Sequence, residues 1–267
     1  PMPFAHVNRQ EIFYEDSGNT GTPIIFMHGF LMDQSLFDRQ VEVLHSQYRC
    51  IRWDARGFGQ TRWDGKAFDL YDTVNDCLGL MDFLKIDSAI LCGMSQGGYA
   101  ALRAALVSPD RVKALILMST RAGVDEEEGR SGYREIRNIW KQQGPSAALL
   151  ENLAQAILGP RHCPNMQEYW QKWIPRWKEI SGDAIFHAMN ALLDRDEIQH
   201  RLKEIKCPAL VVHGSEDFSI PVAQGEKLSA DLSGCLGLIV APGAHAVNLT
   251  HFETVNPQII QFLKQII

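Results

Sequence analysis

Short apolar runs that alternate with amphipathic segments are the feature of this 267-residue chain that most constrains its fold. Six runs have the length of single strands and occupy residues 24–27, 50–53, 89–92, 114–118, 209–212 and 238–240. Such continuous runs suit strands buried on both faces of a parallel sheet, and the segments between them, such as 74–84 and 96–107, have helical patterns. This order predicts an α/β protein with a doubly wound, mostly parallel sheet. Residues 12–15, before the turn Ser17-Gly18-Asn19, are predicted as an antiparallel edge strand.

One region, residues 121–206, contains no run that predicts a buried strand. It has helical patterns instead, divided by the breakers Gly144-Pro145, Gly159-Pro160 and Pro164. Three tryptophans recur there at helical spacing, which predicts packing along one helix face: Trp170, Trp173 and Trp177. The chain is therefore predicted to have a core, residues 1–120 and 207–267, and a helical insertion, residues 121–206.

Composition and charge exclude several classes of partner. The net charge of −6 gives no electrostatic reason for binding nucleic acid or an anionic membrane. No apolar run approaches the length of a membrane-spanning helix, and the N-terminal stretch Pro1-Met2-Pro3-Phe4 lacks the pattern of a signal peptide. The six cysteines are scattered without a Cys-x-x-Cys pair, which predicts reduced thiols. We therefore expect a cytoplasmic protein, monomeric or homodimeric, whose partner is a small molecule.

The strongest local signal for chemistry is Gly93-Met94-Ser95-Gln96-Gly97-Gly98, which lies between a predicted strand and a predicted helix. A serine there occupies a tight, strained turn, and the flanking glycines are needed because a Cβ at either position would collide with the neighbouring chain. The turn exposes the hydroxyl, and the helix N-terminus behind it favours developing negative charge. The pattern predicts that Ser95 is a nucleophile.

A serine hydroxyl becomes a good nucleophile only when a base removes its proton, and histidine is the usual base. Among nine histidines, His245 lies in the loop between the last predicted strand and the C-terminal helix. Loops at the carboxyl edge of a parallel sheet meet one another, so His245 is the predicted base. The neighbouring His251 is predicted to cap the helix or pack.

A third group should hold the imidazole in the correct tautomer. Asp217 follows the predicted strand 209–212 and is our choice. Glu216 is the nearby alternative. Asp125 is the more distant one, although the acidic run 125–128 is most simply a solvated helix start.

Acyl transfer also needs donors for the oxyanion of the tetrahedral intermediate. The backbone N–H of Gln96, directly after the nucleophile, is one predicted donor, and the backbone N–H of Phe30, after an early strand, is the other. His28 is predicted to order that early loop. Four residues are predicted to line the substrate pocket: Leu31, Met94, Trp140 and Val247.

Five segments together, in this order, are similar to the α/β-hydrolase superfamily: His28-Gly29-Phe30, Asp54-Ala55-Arg56-Gly57-Phe58-Gly59, the Ser95 turn, the Asp217 segment and His245. Within it, the chain resembles the branch of small esterases, enol-lactonases and haloperoxidase-like perhydrolases. The resemblance implies an eight-stranded sheet, a structural turn at Asp54 and Arg56, and a cap over the site formed by residues 121–206. A serine at position 95, where some branches have aspartate, argues against dehalogenases and epoxide hydrolases.

We therefore expect a serine hydrolase that cleaves a small, largely apolar carboxylic ester or lactone through an acyl-enzyme on Ser95, without a cofactor or a metal. One alternative is hydrolysis of a carbon–carbon bond in a diketo acid, for which Arg121 or an arginine of the cap would anchor the substrate carboxylate. Another is a ligand sensor with the same fold and slow turnover. The subfamily stays open because Ala244 stands where many relatives have a second glycine, and Gln96 replaces a frequent apolar residue.

Overall fold

A computed structural model describes residues 3–267, which form one eight-stranded sheet flanked by helices. Pro1 and Met2, the first residues of the stretch without a signal-peptide pattern, lie outside the described residues. The strands are β1 (Phe4–Val7), β2 (Gln10–Asp16), β3 (Pro23–Met27), β4 (Arg49–Trp53), β5 (Ala89–Met94), β6 (Val112–Met118), β7 (Ala209–Gly214) and β8 (Cys235–Ala241). The helices are α1 (Asp38–Leu44), α2 (Leu70–Phe83), α3 (Gln96–Val107), α4 (Glu127–Gln143), α5 (Ala147–Ile157), α6 (Met166–Lys178), α7 (Gly182–Leu193), α8 (Val222–Asp231), α9 (Val247–Thr250) and α10 (Phe252–Ile266).

The sheet has the order β1-β2-β4-β3-β5-β6-β7-β8. Strands β3 to β8 are parallel, whereas β2 pairs antiparallel with both β1 and β4. Every residue of β5 and β7 is buried, which explains their continuous apolar sequences. The predicted doubly wound α/β class is confirmed, and all six runs predicted as parallel strands lie in strands of the sheet.

The prediction that residues 12–15 form a strand at the edge of the sheet is wrong. Residues 12–15 belong to β2, which is covered on one side by β4 and on the other by β1, so β1 forms the edge. The two-residue connection Asn8-Arg9 has positive φ at both positions, as the tightest hairpin turns require. Four residues are too few for a clear period of two, and arginine is an unusual residue at such a turn, so the sequence pattern did not reveal β1.

Four helices, α4 to α7, lie between β6 and β7, where helical patterns were predicted. The predicted packing of the tryptophans is confirmed, because Trp170, Trp173 and Trp177 are all buried along α6. The breaker Gly144 ends α4 with a φ of 79°. We refer to residues 121–206 as the helical segment.

The turn at Asp54 and Arg56 has the structural role that the resemblance implies. The carboxylate of Asp54 accepts hydrogen bonds from the backbone N–H groups of Gln34 (2.7 Å) and Gln60 (2.8 Å). The guanidinium of Arg56 pairs with the fully buried carboxylate of Asp76 at 2.6 Å. These bonds join the loop after β4 to the start of the turn before α1 and to helix α2.

All six cysteines are free thiols. Burial raises the pKa of Cys50 and of Cys77 to about 12, so both remain protonated and unreactive at neutral pH. No helix among residues 3–267 combines the length and the apolar character needed to cross a bilayer.

Candidate active site

Ser95 lies between β5 and α3 in a conformation that side chains rarely adopt, with φ of 52° and ψ of −113°. Two backbone hydrogen bonds hold it there. Its N–H donates to the carbonyl of Met118 at 2.8 Å, and its carbonyl accepts from the N–H of Tyr99 at 3.0 Å. Strain of this kind persists only where the surroundings fix it, and it is concentrated at functional positions. The sharp turn predicted from the glycines is therefore present.

The glycines on both sides of Ser95 are required by close approach. A Cβ built on Gly93 would overlap the carbonyl oxygen of Gly97, and a Cβ built on Gly97 would overlap the carbonyl oxygen of Met27. The obstacles are backbone atoms, which cannot rotate away as a flexible side chain would. This finding confirms the predicted reason for the Gly-x-Ser-x-Gly spacing.

His245 and Asp217 form a short hydrogen bond, with 2.7 Å between Nδ1 and Oδ2. Both side chains are almost fully buried, so water competes little for this bond. Because an ionised carboxylate only accepts, Nδ1 carries the proton, and Nε2 of the neutral ring is left as an acceptor. Ser95 and His245 line the same cavity. The loops after β7 and β8 thus supply an imidazole in the tautomer that a general base needs.

The carboxylate of Asp217 is itself fixed by its loop. Its Oδ1 accepts hydrogen bonds from the N–H groups of Ser219 and Ile220, each at 2.9 Å. His213, a neighbour that the sequence analysis did not single out, lies with Nε2 3.5 Å from Oδ2 and 2.7 Å from the carbonyl of Ile220. Burial lowers the pKa of His213, so the ring is neutral and donates to Ile220. Two backbone N–H groups of its own loop therefore fix the orientation of the Asp217 carboxylate.

The two alternative acids lie elsewhere. Glu216 is exposed to solvent, and its side chain faces a groove away from Ser95. The carboxylate of Asp125 pairs with Arg195 at 3.1 Å. Its predicted position in a solvated helix start is wrong, because its side chain is only 10% exposed, whereas Glu127 and Glu128 begin α4 in solvent. His251 occupies the N-cap position of α10, but its side chain makes no capping hydrogen bond: Nδ1 lies 2.8 Å from Oγ1 of Thr250, and the ring packs against Gly243.

Two residues at the end of β6 support the site and were missed from the sequence. The hydroxyl of Ser119 donates to the carbonyl of His245 at 2.5 Å, and the hydroxyl of Thr120 donates to the carbonyl of Ser95 at 2.8 Å. Ser119 has a φ of 53°. The available signal was their place after a strand that neighbours β5, since ligands and loops gather at the carboxyl ends of parallel strands.

The two predicted oxyanion donors lie at the start of α3 and on the loop after β3. Gln96 is the first residue of α3, where a backbone N–H has no acceptor within the helix. Phe30 follows His28, whose Nδ1 is 2.8 Å from the carbonyl of Gly29 and whose Nε2 accepts from the N–H of Ala55 at 2.9 Å. His28 thus orders this loop, as predicted, and its ring nitrogens are both occupied.

A cavity of about 90 Å³ lies between the sheet edge and the helical segment. Besides Ser95 and His245, the core contributes mainly apolar side chains to its wall: Phe30, Leu31, Tyr99 and Ile220. The helical segment contributes further apolar side chains, among them Ile136, Leu153, Ile157, Met189 and Leu192. It also contributes three polar ones: Asp125, Tyr133 and Arg195. The largely apolar pocket predicted from the sequence is present, with a polar part that the sequence did not reveal.

Of the four residues predicted to line this pocket, Leu31 does so, and the other three do not. Met94 is buried with its sulfur against Gly29 and does not line the cavity. Val247 is fully buried against Gly243. Trp140 is 2% exposed, and its indole N–H donates to the carbonyl of Ile180 at 2.9 Å. It therefore packs inside the helical segment.

Comparison with known proteins points in the same direction. The sequence profile of the alpha/beta hydrolase fold matches residues 22–252. A putative non-heme chloroperoxidase from Synechocystis sp. is 26% identical over 98% of this chain and all of that protein. A malate-bound esterase structure from Thermogutta terrifontis is 25% identical, with a TM-score of 0.90 over 99% of this chain and 97% of that one. The enol-lactonase from Burkholderia xenovorans LB400 shares the fold, with 24% identity and a TM-score of 0.89 over 98% of this chain and 100% of that one.

Proposed function

Because the chain belongs to the alpha/beta hydrolase fold family, in its small esterase and haloperoxidase-like branch, we propose that it cleaves a carboxylic ester or lactone through an acyl-enzyme on Ser95. The observation that carries the proposal is the His245–Asp217 hydrogen bond of 2.7 Å beside a strained serine on the same cavity. A serine that only capped a helix would need neither the strained turn nor a histidine of fixed tautomer.

The first half of the reaction transfers the acyl group to the enzyme. Ser95 attacks the carbonyl carbon as Nε2 of His245 takes its proton, and the carboxylate of Asp217 stabilises the imidazolium that forms. The N–H groups of Phe30 and Gln96 donate hydrogen bonds to the carbonyl oxygen, on which negative charge develops. His245 then protonates the leaving alcohol, and the carbon–oxygen bond breaks.

The second half releases the acid. His245 removes a proton from a water molecule, which attacks the acyl carbon, and the tetrahedral intermediate again places its charge between the two N–H groups. Collapse returns the proton to Ser95 and frees the carboxylic acid. Every proton in both halves passes through His245, and the nucleophile of the first half, the base and the oxyanion donors all belong to this chain.

We propose that residues 121–206 act as a cap over a core of residues 1–120 and 207–267. Its side chains form one wall of the cavity, and the carbonyl of Ile157 accepts a hydrogen bond of 2.7 Å from the N–H of Ala246, next to the base. A cap excludes water and strengthens the electrostatic interactions beneath it. The cavity of about 90 Å³ is smaller than a typical ligand pocket, so the substrate is a small one.

A second candidate function is hydrolysis of a carbon–carbon bond in a diketo acid. This reaction uses the same triad and requires a cationic anchor for the substrate carboxylate, and Arg195 from the helical segment lines the cavity. A third is a ligand sensor of slow turnover. The three are separated by the rate constants for small aliphatic esters, lactones and a diketo acid. Esters or lactones are expected to be cleaved fastest, whereas cleavage of the diketo acid alone would favour the second candidate.

Labelling with a fluorophosphonate tests the nucleophile itself. One adduct is expected, on Ser95, and Ser95→Ala should lose both the label and hydrolysis. Ser131→Ala, on the exposed side of α4, is the matched control and should keep both. Labelling that persists in Ser95→Ala would contradict the assignment. A wild-type protein that takes up the label but turns over no substrate would indicate the sensor.

A further inference from the structure

The helical segment places two buried arginine side chains around one buried carboxylate, and one of the two, Arg195, lines the cavity. The guanidinium groups of Arg121 and Arg195 are 7% and 1% exposed, and both approach the carboxylate of Asp125, at 3.7 and 3.1 Å. The other carboxylate near Arg121 is that of Glu126, at 3.6 Å, but its side chain is 80% exposed and screened by water. Two buried cations therefore share one buried anion. A buried charge without a full partner is costly, and an anionic ligand would remove that cost.

Arg195 is held in the wall before any ligand arrives. One terminal nitrogen donates to the carbonyl of Leu192 at 2.9 Å, and the other to the carbonyl of Gly123 at 3.1 Å. The guanidinium carbon lies 4.1 Å from the centre of the Tyr99 ring. Its Nε is buried without a hydrogen-bond partner among residues 3–267. The charge is thus oriented, and one of its donors is unused.

The next residue, Asp196, ties this part of the helical segment to the core. Its carboxylate accepts a hydrogen bond of 3.0 Å from Arg103 on α3 and one of 2.8 Å from the hydroxyl of Tyr71 on α2. Arg103 is completely buried and also donates to the carbonyl of Tyr99, one turn earlier on the same helix. Arg195 and Tyr99 are therefore anchored by a common set of contacts, and they keep their relative position.

Two phenol groups face the same cavity. Tyr99 and Tyr133 line it, and within the described part of the chain neither hydroxyl has a hydrogen-bond partner. Burial raises the pKa of both, so both keep their protons and act as donors at neutral pH. Two unused O–H donors beside an incompletely neutralised cation form a site for an oxygen anion.

We propose that Arg195, Tyr99 and Tyr133, with the charge of Arg121 behind them, bind a carboxylate on the acyl part of the substrate. The inference rests on the proposed function, because it places this carboxylate in the cavity that holds Ser95. The acyl part is the one that stays in the cavity through both halves of the reaction. Since the cavity measures only about 90 Å³, a short chain separates the two carbonyl carbons. The substrate class is therefore a monoester, or the corresponding lactone, of a small dicarboxylic or oxo acid.

The test compares monoethyl glutarate with diethyl glutarate, which share the same acyl chain and differ in one negative charge. Ethanol release gives kcat/KM for each, and the wild-type protein should favour the monoester by about ten-fold or more. Arg195→Gln should reduce this ratio by about ten- to hundred-fold, and Tyr133→Phe by a few-fold. Arg134→Gln, which removes a charge from the exposed side of α4, is the control and should keep the wild-type ratio.

A purely structural role for Arg195 would lower both rate constants together and leave the ratio unchanged. A wild-type protein that favours the diester, or a folded Arg195→Gln with the wild-type ratio, would overturn the proposal. If Arg195→Gln does not fold, Tyr133→Phe decides, because it keeps the ring and removes only the hydroxyl.

Binding of glutarate to Ser95→Ala, measured by calorimetry against pentanoate, separates this proposal from the proposed function. Glutarate should bind more tightly than pentanoate, and adding Tyr133→Phe should reduce the difference. If no ester is cleaved but this preference is found, the hydrolase assignment fails and the carboxylate site stands. If esters are cleaved but glutarate has no advantage, the carboxylate site fails and the hydrolase assignment stands.

Discussion

The two walls of the cavity are built in different ways. The sheet edge supplies Ser95, Asp217 and His245 from loops after β5, β7 and β8, and each loop is held by backbone contacts or short hydrogen bonds. The helical segment supplies its apolar side chains from helices, where packing between helices decides which of them reach the cavity, and it supplies Asp125 and Arg195 from the loops before α4 and after α7. In the proposed function, the difference means that the sheet edge provides the chemistry and the helical segment provides the selectivity. Changes at the sheet edge should abolish turnover, whereas changes in the helical segment should alter which substrate is preferred.

The largest effect is expected at the nucleophile. Ser95→Ala removes the attacking oxygen, and kcat for a small ester should fall by roughly 10⁴-fold or more, because the members of a triad act as a unit. The melting temperature should stay close to that of the wild type, since alanine keeps the Cβ, adds no atom to the turn and leaves the backbone conformation unchanged. A variant that keeps more than a few per cent of the wild-type rate would remove Ser95 from the mechanism.

Asp217→Asn should reduce kcat by roughly 10³- to 10⁴-fold, because an amide N–H facing Nδ1 stabilises the wrong tautomer of His245. Glu216→Gln changes the neighbouring acid in the same chemical way and is the matched control. It should keep nearly full activity, because Glu216 is exposed. Steady-state kinetics of the two variants decides between the two acids, and equal losses would contradict the assignment.

The backbone of the serine turn can be tested by stability. Gly97→Ala would force a Cβ into the carbonyl oxygen of Met27, so the strand and the helix must separate, and the free energy of unfolding should fall by about 3 kcal/mol or more. Gly132→Ala, on α4, meets nothing within 4 Å and should stabilise by about 0.5–1 kcal/mol. Chemical denaturation measures both. If Gly97→Ala left the free energy of unfolding unchanged, the close approach of strand and helix would not require this glycine.

The smallest change in kcat/KM is expected for substitutions in the helical segment, and it concerns the preferred length of the acyl chain. Leu153→Ala removes atoms from the cavity wall, so kcat/KM should rise a few-fold for acyl chains one or two carbons longer and fall for short ones. Leu150→Ala, on the same helix but packed away from the cavity, should destabilise by about 2–5 kcal/mol and leave the chain-length preference unchanged. A profile of ester chain lengths compares them. If Leu153→Ala kept the wild-type chain-length profile, the helical segment would not determine which substrate is preferred.

Much of the site at the sheet edge could be predicted, because it depends on residues that are close together in the sequence. A glycine two residues before and two after Ser95 indicates a turn that admits no Cβ, and the place of Asp217 and His245 after strands indicates which edge they share. The supporting hydroxyls of Ser119 and Thr120 escaped notice because serine and threonine after a strand are common, and their partners are distant in the sequence. The contact between His245 and Asp217 follows from the order of strands in the sheet.

The helical segment was predictable in outline only. Its breakers indicated where helices end, and the spacing of Trp170, Trp173 and Trp177 indicated a buried face. The prediction that Trp140 lines the pocket is wrong, because a single aromatic residue has no periodicity that shows its direction. Asp125 was assigned to solvent because its sequence neighbours are acidic, although its side chain turns inward to Arg195.

The sequence by itself therefore determined the alternation of strands and helices, the strained serine turn and the order of the residues of the candidate site, because each depends on contacts between near neighbours or on the path of the chain. The tertiary structure alone decided the tautomer of His245, the edge position of β1, the volume of the cavity and the unequal number of buried charges around Asp125. These properties depend on the distances between side chains from separate elements. Such distances are set only when the helices pack over the sheet.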